Sequence, residues 1–193
     1  MNEKNYHHGD LRTALVRAGR TILERDGLAA LTLRACAREA GVSHAAPQHH
    51  FRNLAELLSA IAASGFEDFV AALEEKSKEA ADPRARLVAM GLAYVAFASA
   101  HPAIYQVMFG VEAPNSKTEQ LEAAMSRAWR QLHDAVAEAV GPVHANSDAM
   151  LVWSVVHGHA MLRAAQCLPG VVNADQELRH SLETIVSGMS ERH

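Results

Sequence analysis

The sequence predicts an all-α protein, three short helices at the N-terminus followed by a larger helical unit. Three observations carry that reading. Apolar residues recur at three- and four-residue spacing along most of the chain, and no stretch alternates as a strand would. Hydrophobic residues make up 49% of the sequence and aromatics only 5%, a balance suited to helices that pack through Ala and Leu. Proline, glycine and capping residues divide the 193 residues into helix-length pieces.

The first piece is amphipathic, with Leu11, Leu15, Ala18, Ile22 and Leu23 on one face, and it stops at Arg25-Asp-Gly27. Next comes Leu33 to Phe51, two short helices joined by a tight turn. Thr32 stands where a hydroxyl can cap the first of them. Leu33, Cys36, Ala37 and Ala40 form its packing face. Gly41 sits at the turn, where a left-handed residue is required. Ser43 is placed to cap the second helix, and Ala37 is small enough for that helix to cross closely. This is the pattern of a helix-turn-helix, whose second helix enters the major groove of DNA. Asn53 with Glu56 three residues on is a capping-box variant. It opens a long helix from about Leu54 to Ala80, with Leu57, Ile61, Phe66, Phe69 and Leu73 turned inward.

Asp82-Pro83 starts the following helix, with Asp as cap and Pro at the first helical position. Its stretch from Leu87 to Ala98 holds no charge and is expected to be buried on most sides. His101-Pro102 ends it, and a short piece with Tyr105, Met108 and Phe109 runs to Gly110. Ser116-Lys-Thr-Glu119 reads as a strict capping box for a helix striped by Leu121, Met125, Trp129, Leu132 and Val136. After Gly141-Pro142, a helix from about Ser147 to Leu168 is apolar on several faces and stops at Pro169-Gly170. The last, from about Asp175 to Met189, repeats Leu178, Leu182, Ile185 and Met189. The expected division is residues 1–56 and residues 57–193.

The chain carries a formal net charge of −4. Residues 1–60 hold eight basic and six acidic residues, a net +2, and five of the twelve histidines. The remainder holds ten basic and sixteen acidic residues, a net −6. The N-terminal end is therefore the candidate face for a polyanion. Cys36 and Cys167 lie far apart in sequence, and each reads as a small buried apolar residue rather than half of a disulfide. No apolar run approaches the ~20 residues needed to span a bilayer, and the N-terminus lacks the apolar core of a secretory signal. A cytoplasmic protein with no membrane association is expected.

Residues 6 to 60 resemble the N-terminal DNA-binding domain of the tetracycline-repressor (TetR) family of bacterial transcription regulators. The resemblance rests on the Tyr6-His-His-Gly-Asp-Leu-Arg start, Gly27, Thr32, Arg34, the Ala37-Arg-Glu-Ala-Gly-Val-Ser43 run, Phe51 and Leu57-Leu58. Trp153-x-x-x-His157-Gly158 further resembles the branch named for a Trp-His-Gly motif. The family resemblance implies that Thr32, Arg34, Ser43, His44, Ala45, Gln48, His49 and Arg52 lie at or near DNA. Some of these would reach base edges and others hold phosphates. Ala45 suits a thymine methyl and His44 a purine acceptor. Two positions depart from the family pattern: Gln48 stands for a phosphate-contacting Tyr, and Leu54 for a Lys. One missing cation per subunit lowers the salt slope of binding by roughly 0.9, so weaker and less salt-sensitive DNA binding is expected.

The resemblance also implies a ligand-sensing and dimerising C-terminal domain. Met90, Tyr94, Phe97, Tyr105, Met108, Phe109, Met125, Trp129, Trp153 and His157 are the candidate pocket residues. Singly they suit any helical core; together they suit an apolar cavity with a few polar tips. Trp153 and His157 share a helix face. Ser154 and Gly158 form a small pair that lets another helix approach, and glycine inside a helix costs about 1 kcal/mol unless packing needs it. With Leu178, Leu182 and Ile185 they make the candidate homodimer interface. A two-fold dimer sets two recognition elements about 34–36 Å apart, or a multiple of that, on a palindromic operator.

No Cys/His spacing matches a metal template, and no nucleophile elbow, phosphate loop or zinc-protease run occurs. No metal, cofactor or catalytic residue is therefore expected. The expected function is a homodimeric repressor released from its operator by a small, largely apolar ligand. An activator or ligand-independent regulator of the same fold, or a dimeric binding module with weak DNA affinity, are the alternatives.

Overall fold

Caps and stops set the helix ends much as the sequence predicts. The computed structural model describes residues 8–110, 114, 117–168 and 173–191. In chain order the helices are α1 (His8–Asp26), α2 (Leu33–Glu39), α3 (Leu54–Ser77), α4 (Pro83–Ala100), α5 (Pro102–Phe109), α6 (Glu119–Val140), α7 (Ala145–Ala164) and α8 (Ala174–Ser190). Two 3₁₀ turns, Leu28–Ala30 and Ala46–His49, interrupt the N-terminal part. Among the described residues there is no strand, so the fold class is all-α.

Several caps act as read. The Thr32 hydroxyl accepts from Ala35 N–H at 3.0 Å. Asp82 accepts from Ala85 N–H at 2.8 Å with Pro83 opening α4. Gly41 is left-handed at φ 68°. Around it Gly41 N–H donates to the Arg38 carbonyl and Val42 N–H to the Ala37 carbonyl, which satisfies two terminal carbonyls of α2.

Other expectations are corrected. The second helix of the helix-turn-helix is no α-helix capped by Ser43. Residues 46–49 wind as a 3₁₀ turn, and Ser43 enters only through its backbone carbonyl, which accepts from Ala46 N–H at 3.0 Å. Pro47 explains this: it has no N–H to give and biases the residue before it away from α geometry. α6 is capped by Thr118, whose hydroxyl accepts from Leu121 N–H at 3.3 Å. Ser116, the expected cap, lies outside the described residues, as do Tyr6-His7 and Pro169-Gly170. α7 stops at Ala164, short of Leu168. There Gln166 takes the left-handed position at φ 56°, and Cys167 N–H donates to the Leu162 carbonyl. Cys167 is consequently exposed, not buried like Cys36. Burial of Cys36 raises its thiol pKa to about 11.

The chain divides into two units. The first runs to Gly65 and takes in His101–Ala124; the second holds Phe66–Ala100 and the chain from Met125 onward. In the first, α1 packs on α2 and α5. Leu15, Leu31, Phe51, Leu57, Ile61, Ile104 and Leu121 are its large, fully buried side chains. A Cβ at Gly65 would lie 2.8 Å from Ile104 Cγ2 and from Met108 Sδ, so glycine lets α5 close on α3. In the second unit α4 packs on α7 and α8. Its uncharged stretch is buried as predicted, including Leu87, Val88, Met90, Tyr94, Val95 and Phe97. A Cβ at Gly91 would lie 2.6 Å from Leu182 Cδ1, so α4 and α8 approach over that glycine.

Candidate functional site

In the first unit the turn after α2 presents a row of side chains to solvent. Ser43, His44, Ala45, Gln48 and His49 are exposed, while Pro47 is buried beneath them. The Pro47 carbonyl accepts from both His50 N–H at 2.9 Å and Phe51 N–H at 2.8 Å, which locks the turn to the start of the next element. Phe51 is buried, and the Arg12 guanidinium stands 5.1 Å from its ring centroid, a cation–π contact. Thr32, Arg34 and Arg52 are exposed as well. All eight residues of the candidate DNA face are thus accessible, on short elements anchored by buried neighbours. Leu54, at the first position of α3, is half-buried.

Arg52 has a partner that sequence reasoning missed. Its Nε and Nη2 donate to Glu56 Oε1 at 2.9 and 2.7 Å. Its backbone N–H donates to Glu56 Oε2 at 2.6 Å. Asn53 still caps α3, its Oδ1 accepting from Glu56 N–H at 3.0 Å. In the usual capping box the glutamate reaches back to the cap residue's own N–H. Here it reaches one residue further. The hydrogen bond from the Arg52 side chain, then that from its N–H, hold the Glu56 carboxyl below the ordinary carboxylate range. The Arg-x-x-x-Glu spacing at a helix start was the available signal.

The second unit gathers most of the candidate pocket residues. The Tyr94 hydroxyl and His157 Nδ1 are 2.8 Å apart. Ring contacts run on from this pair in both directions. Phe69 meets Tyr94 edge-on at 5.1 Å and Phe97 at 5.4 Å. On the other side His157 meets Trp153 at 6.1 Å, and Trp153 meets Trp129 at 6.2 Å. Phe69 belongs to this aromatic chain although the sequence suggested only a core role for it. Burial pushes the His157 imidazole pKa below its ordinary 6.5. Gln131 donates to the Val70 carbonyl at 3.1 Å, and its Oε1 is buried with no hydrogen-bond partner. Met90 is buried and Met125 half-buried in the same unit. Tyr105, Met108 and Phe109 belong to the first unit instead, on α5, with Tyr105 and Phe109 rings 5.0 Å apart.

The candidate interface residues separate by burial. Leu178 and Leu182 are 2% and 0% exposed within the single chain, and Ile185 is half-buried. Leu178 and Leu182 serve the chain's own core. Ser154 is exposed, and a Cβ at Gly158 would meet nothing within 4 Å. Around Ser154 and Gly158 lie Met150, Leu151, Met161 and Leu162, each 45–51% exposed. At 3.6 residues per turn these six positions span an arc of about 120° on α7. The sequence places apolar residues on several faces of this helix, and only packing distinguishes the face its own chain covers. Among the described residues, no three His, Cys, Asp or Glu side chains gather as a metal site, and no single helix is long and apolar enough to cross a membrane.

Comparison with known proteins agrees with this architecture. Residues 15–61 match the family model of bacterial regulatory proteins of the tetR family. Residues 87–188 match the tetracyclin repressor-like C-terminal domain. A search of curated proteins finds no match. Among solved structures, a protein of unknown function from Rhodococcus sp. RHA1 is 38% identical, with a TM-score of 0.83 over 97% of this chain and 100% of that one. A transcriptional regulator from the same organism is 21% identical, with a TM-score of 0.69 over 94% and 96% of the two chains. A TetR variant from Acinetobacter baumannii AYE in complex with minocycline is 21% identical, with a TM-score of 0.64 over 97% and 98%. The last two likenesses concern the fold alone. With an N-terminal helix-turn-helix unit and a C-terminal domain that both match, the chain belongs to the TetR family of bacterial transcription regulators.

Proposed function

We propose that this regulator is a homodimeric repressor that a small, largely apolar ligand releases from a palindromic operator. The observation that carries the DNA-reading part is the exposed set Ser43, His44, Ala45, Gln48 and His49, raised on the buried Pro47 and Phe51. In this reading residues 1–56 read DNA, with Thr32, Arg34, Ser43, His44, Ala45, Gln48, His49 and Arg52 at or near the duplex. Residues 57–193 sense the ligand and dimerise.

The exposed arc of α7 supports the dimer. Four large apolar side chains flank Ser154 and an open Gly158, a surface that water solvates poorly and a second helix can approach closely. On α8 the exposed Ser181, Thr184 and Gly188 offer a second small-residue face. The dimer thereby rests on exposed α7 and α8 surfaces, with the half-buried Ile185 at their edge and Leu178 and Leu182 backing them from inside. The aromatic chain from Phe97 to Trp129 supports the ligand site, because edge-to-face rings with a Tyr–His polar pair suit a flat apolar molecule with one polar group. α3 contributes Leu54–Gly65 to one unit and Phe66–Ser77 to the other, so one helix carries both functions. A coupling of about 1–3 kcal/mol between them changes operator affinity by roughly 5–150-fold.

The test is a thermal-shift screen of flat apolar compounds, with each hit carried into DNA-binding assays. The proposal expects hits that raise Tm and weaken DNA binding, and lose their effect in Trp153→Ala. Hits that raise Tm but leave DNA binding unchanged would contradict ligand release.

A further inference from the structure

We infer that Glu56 holds Arg52 back from DNA, so that the carboxylate, and not the arginine alone, sets how strongly the N-terminal unit grips a phosphate backbone. This rests on the DNA-binding reading above.

The Arg52 side chain is 87% accessible, so little packing fixes it. What holds it is Glu56. One carboxylate oxygen takes both Nε and Nη2, and the other takes the Arg52 backbone N–H. The carboxylate is itself well anchored: its side chain is only 24% accessible, its residue's N–H is bound by Asn53, and it lies in the first turn of α3. A carboxylate is stabilised at a helix N-terminus, and Arg12 nearby adds to this. Glu56 therefore stays at the face when DNA arrives, and the guanidinium must either leave it or share its charge with it.

The Nε–Nη2 edge of the guanidinium, the edge Arg52 would turn to a phosphate, is already taken by one carboxylate oxygen. The pair is neutral as a unit and displaces no counterion from DNA. Leu54, two residues on, supplies no cation in compensation. The structure thus assigns Glu56 the role of an internal competitor for phosphate.

The experiment is a salt titration of binding to a random-sequence duplex by the full-length protein, which needs no knowledge of the operator. Glu56→Gln keeps an amide oxygen for the Arg52 N–H while removing the charge. It is expected to bind several-fold more tightly at low salt, with a log–log salt slope steeper by about 0.9 per protomer. Arg52→Gln combined with Glu56→Gln, uncharged like the neutral wild-type pair, is expected to lose the gain and return the slope to that of wild type. Circular dichroism and Tm of each variant verify that α3 is intact. If Glu56→Gln is folded and binds with an unchanged or shallower slope, Glu56 orients Arg52 for DNA and the inference is overturned. If the double variant has a clearly shallower slope than wild type, Arg52 already contacts phosphate and the inference is again overturned. If neither wild type nor Glu56→Gln binds DNA at low salt, the DNA-binding reading fails, and this inference with it.

Discussion

The Tyr94 hydroxyl lies 2.8 Å from His157 Nδ1, joining α4 to α7 in the middle of a chain of aromatic rings. Burial lowers the His157 pKa below its ordinary 6.5, so the folded protein resists protonating this ring while the unfolded chain does not. As pH falls through about 6.5 the unfolded state takes up the proton first and gains stability relative to the folded state. His159 is shifted in the same direction by burial and by the nearby Arg163. Tm is therefore expected to fall between about pH 7 and pH 5.5, and less steeply in His157→Gln. A wild-type Tm that is flat across this interval, or an equal slope in the variant, would contradict the shift.

Gly91 lets α4 meet α8. An added Cβ would stand 2.6 Å from Leu182 Cδ1 and 3.2 Å from Val156 Cγ1. Leu182 is fully buried and has little room to move. Gly91→Ala is expected to destabilise the protein by about 1–3 kcal/mol, the usual range for overpacking. Urea denaturation reads this as a lower midpoint at unchanged slope. A midpoint equal to wild type would mean that Leu182 repacks freely.

Gly158 predicts the opposite sign for folding. It lies inside α7 with open space where a Cβ would go, so alanine should stabilise the helix by about 1 kcal/mol. If a partner helix packs on this face, the same methyl group obstructs it. Gly158→Ala is then expected to dissociate at higher protein concentration in sedimentation velocity while its secondary structure is retained. Unchanged dimerisation would remove Gly158 from the interface.

How much of this was legible in sequence depended on whether the cause was local. Thr32, Asp82 and Gly41 act within one turn of themselves, and their roles could be read directly. Pro47 is also local, yet Ser43 placed as a cap points to a full helix that the missing Pro47 N–H does not allow. Gln166, the left-handed residue ending α7, gave no warning, since glutamine has no preference for that conformation. The candidate DNA face was legible because a polar run such as Gln48-His49-His50 makes poor core. The candidate interface was not. Leu178 and the exposed Leu162 are indistinguishable in sequence, and only packing shows which one the chain buries for itself. The Arg52–Glu56 pair was missed because Glu56 was explained fully by capping.

Leu54 offers a gain-of-function test of the electrostatics. Leu54→Lys places a cation at the first position of α3, where the family pattern has a lysine. The salt slope of duplex binding is expected to rise by about 0.9 per protomer. An unchanged slope would mean that this position does not reach the DNA backbone in this chain.

Selection of random-sequence duplexes by the purified protein at near-physiological salt tests the central claim most directly. The account predicts an enriched palindrome whose half-sites are spaced by whole helical turns, and loss of that enrichment when His44 and Gln48 are both replaced by alanine. A folded, dimeric protein that enriches no sequence would contradict it.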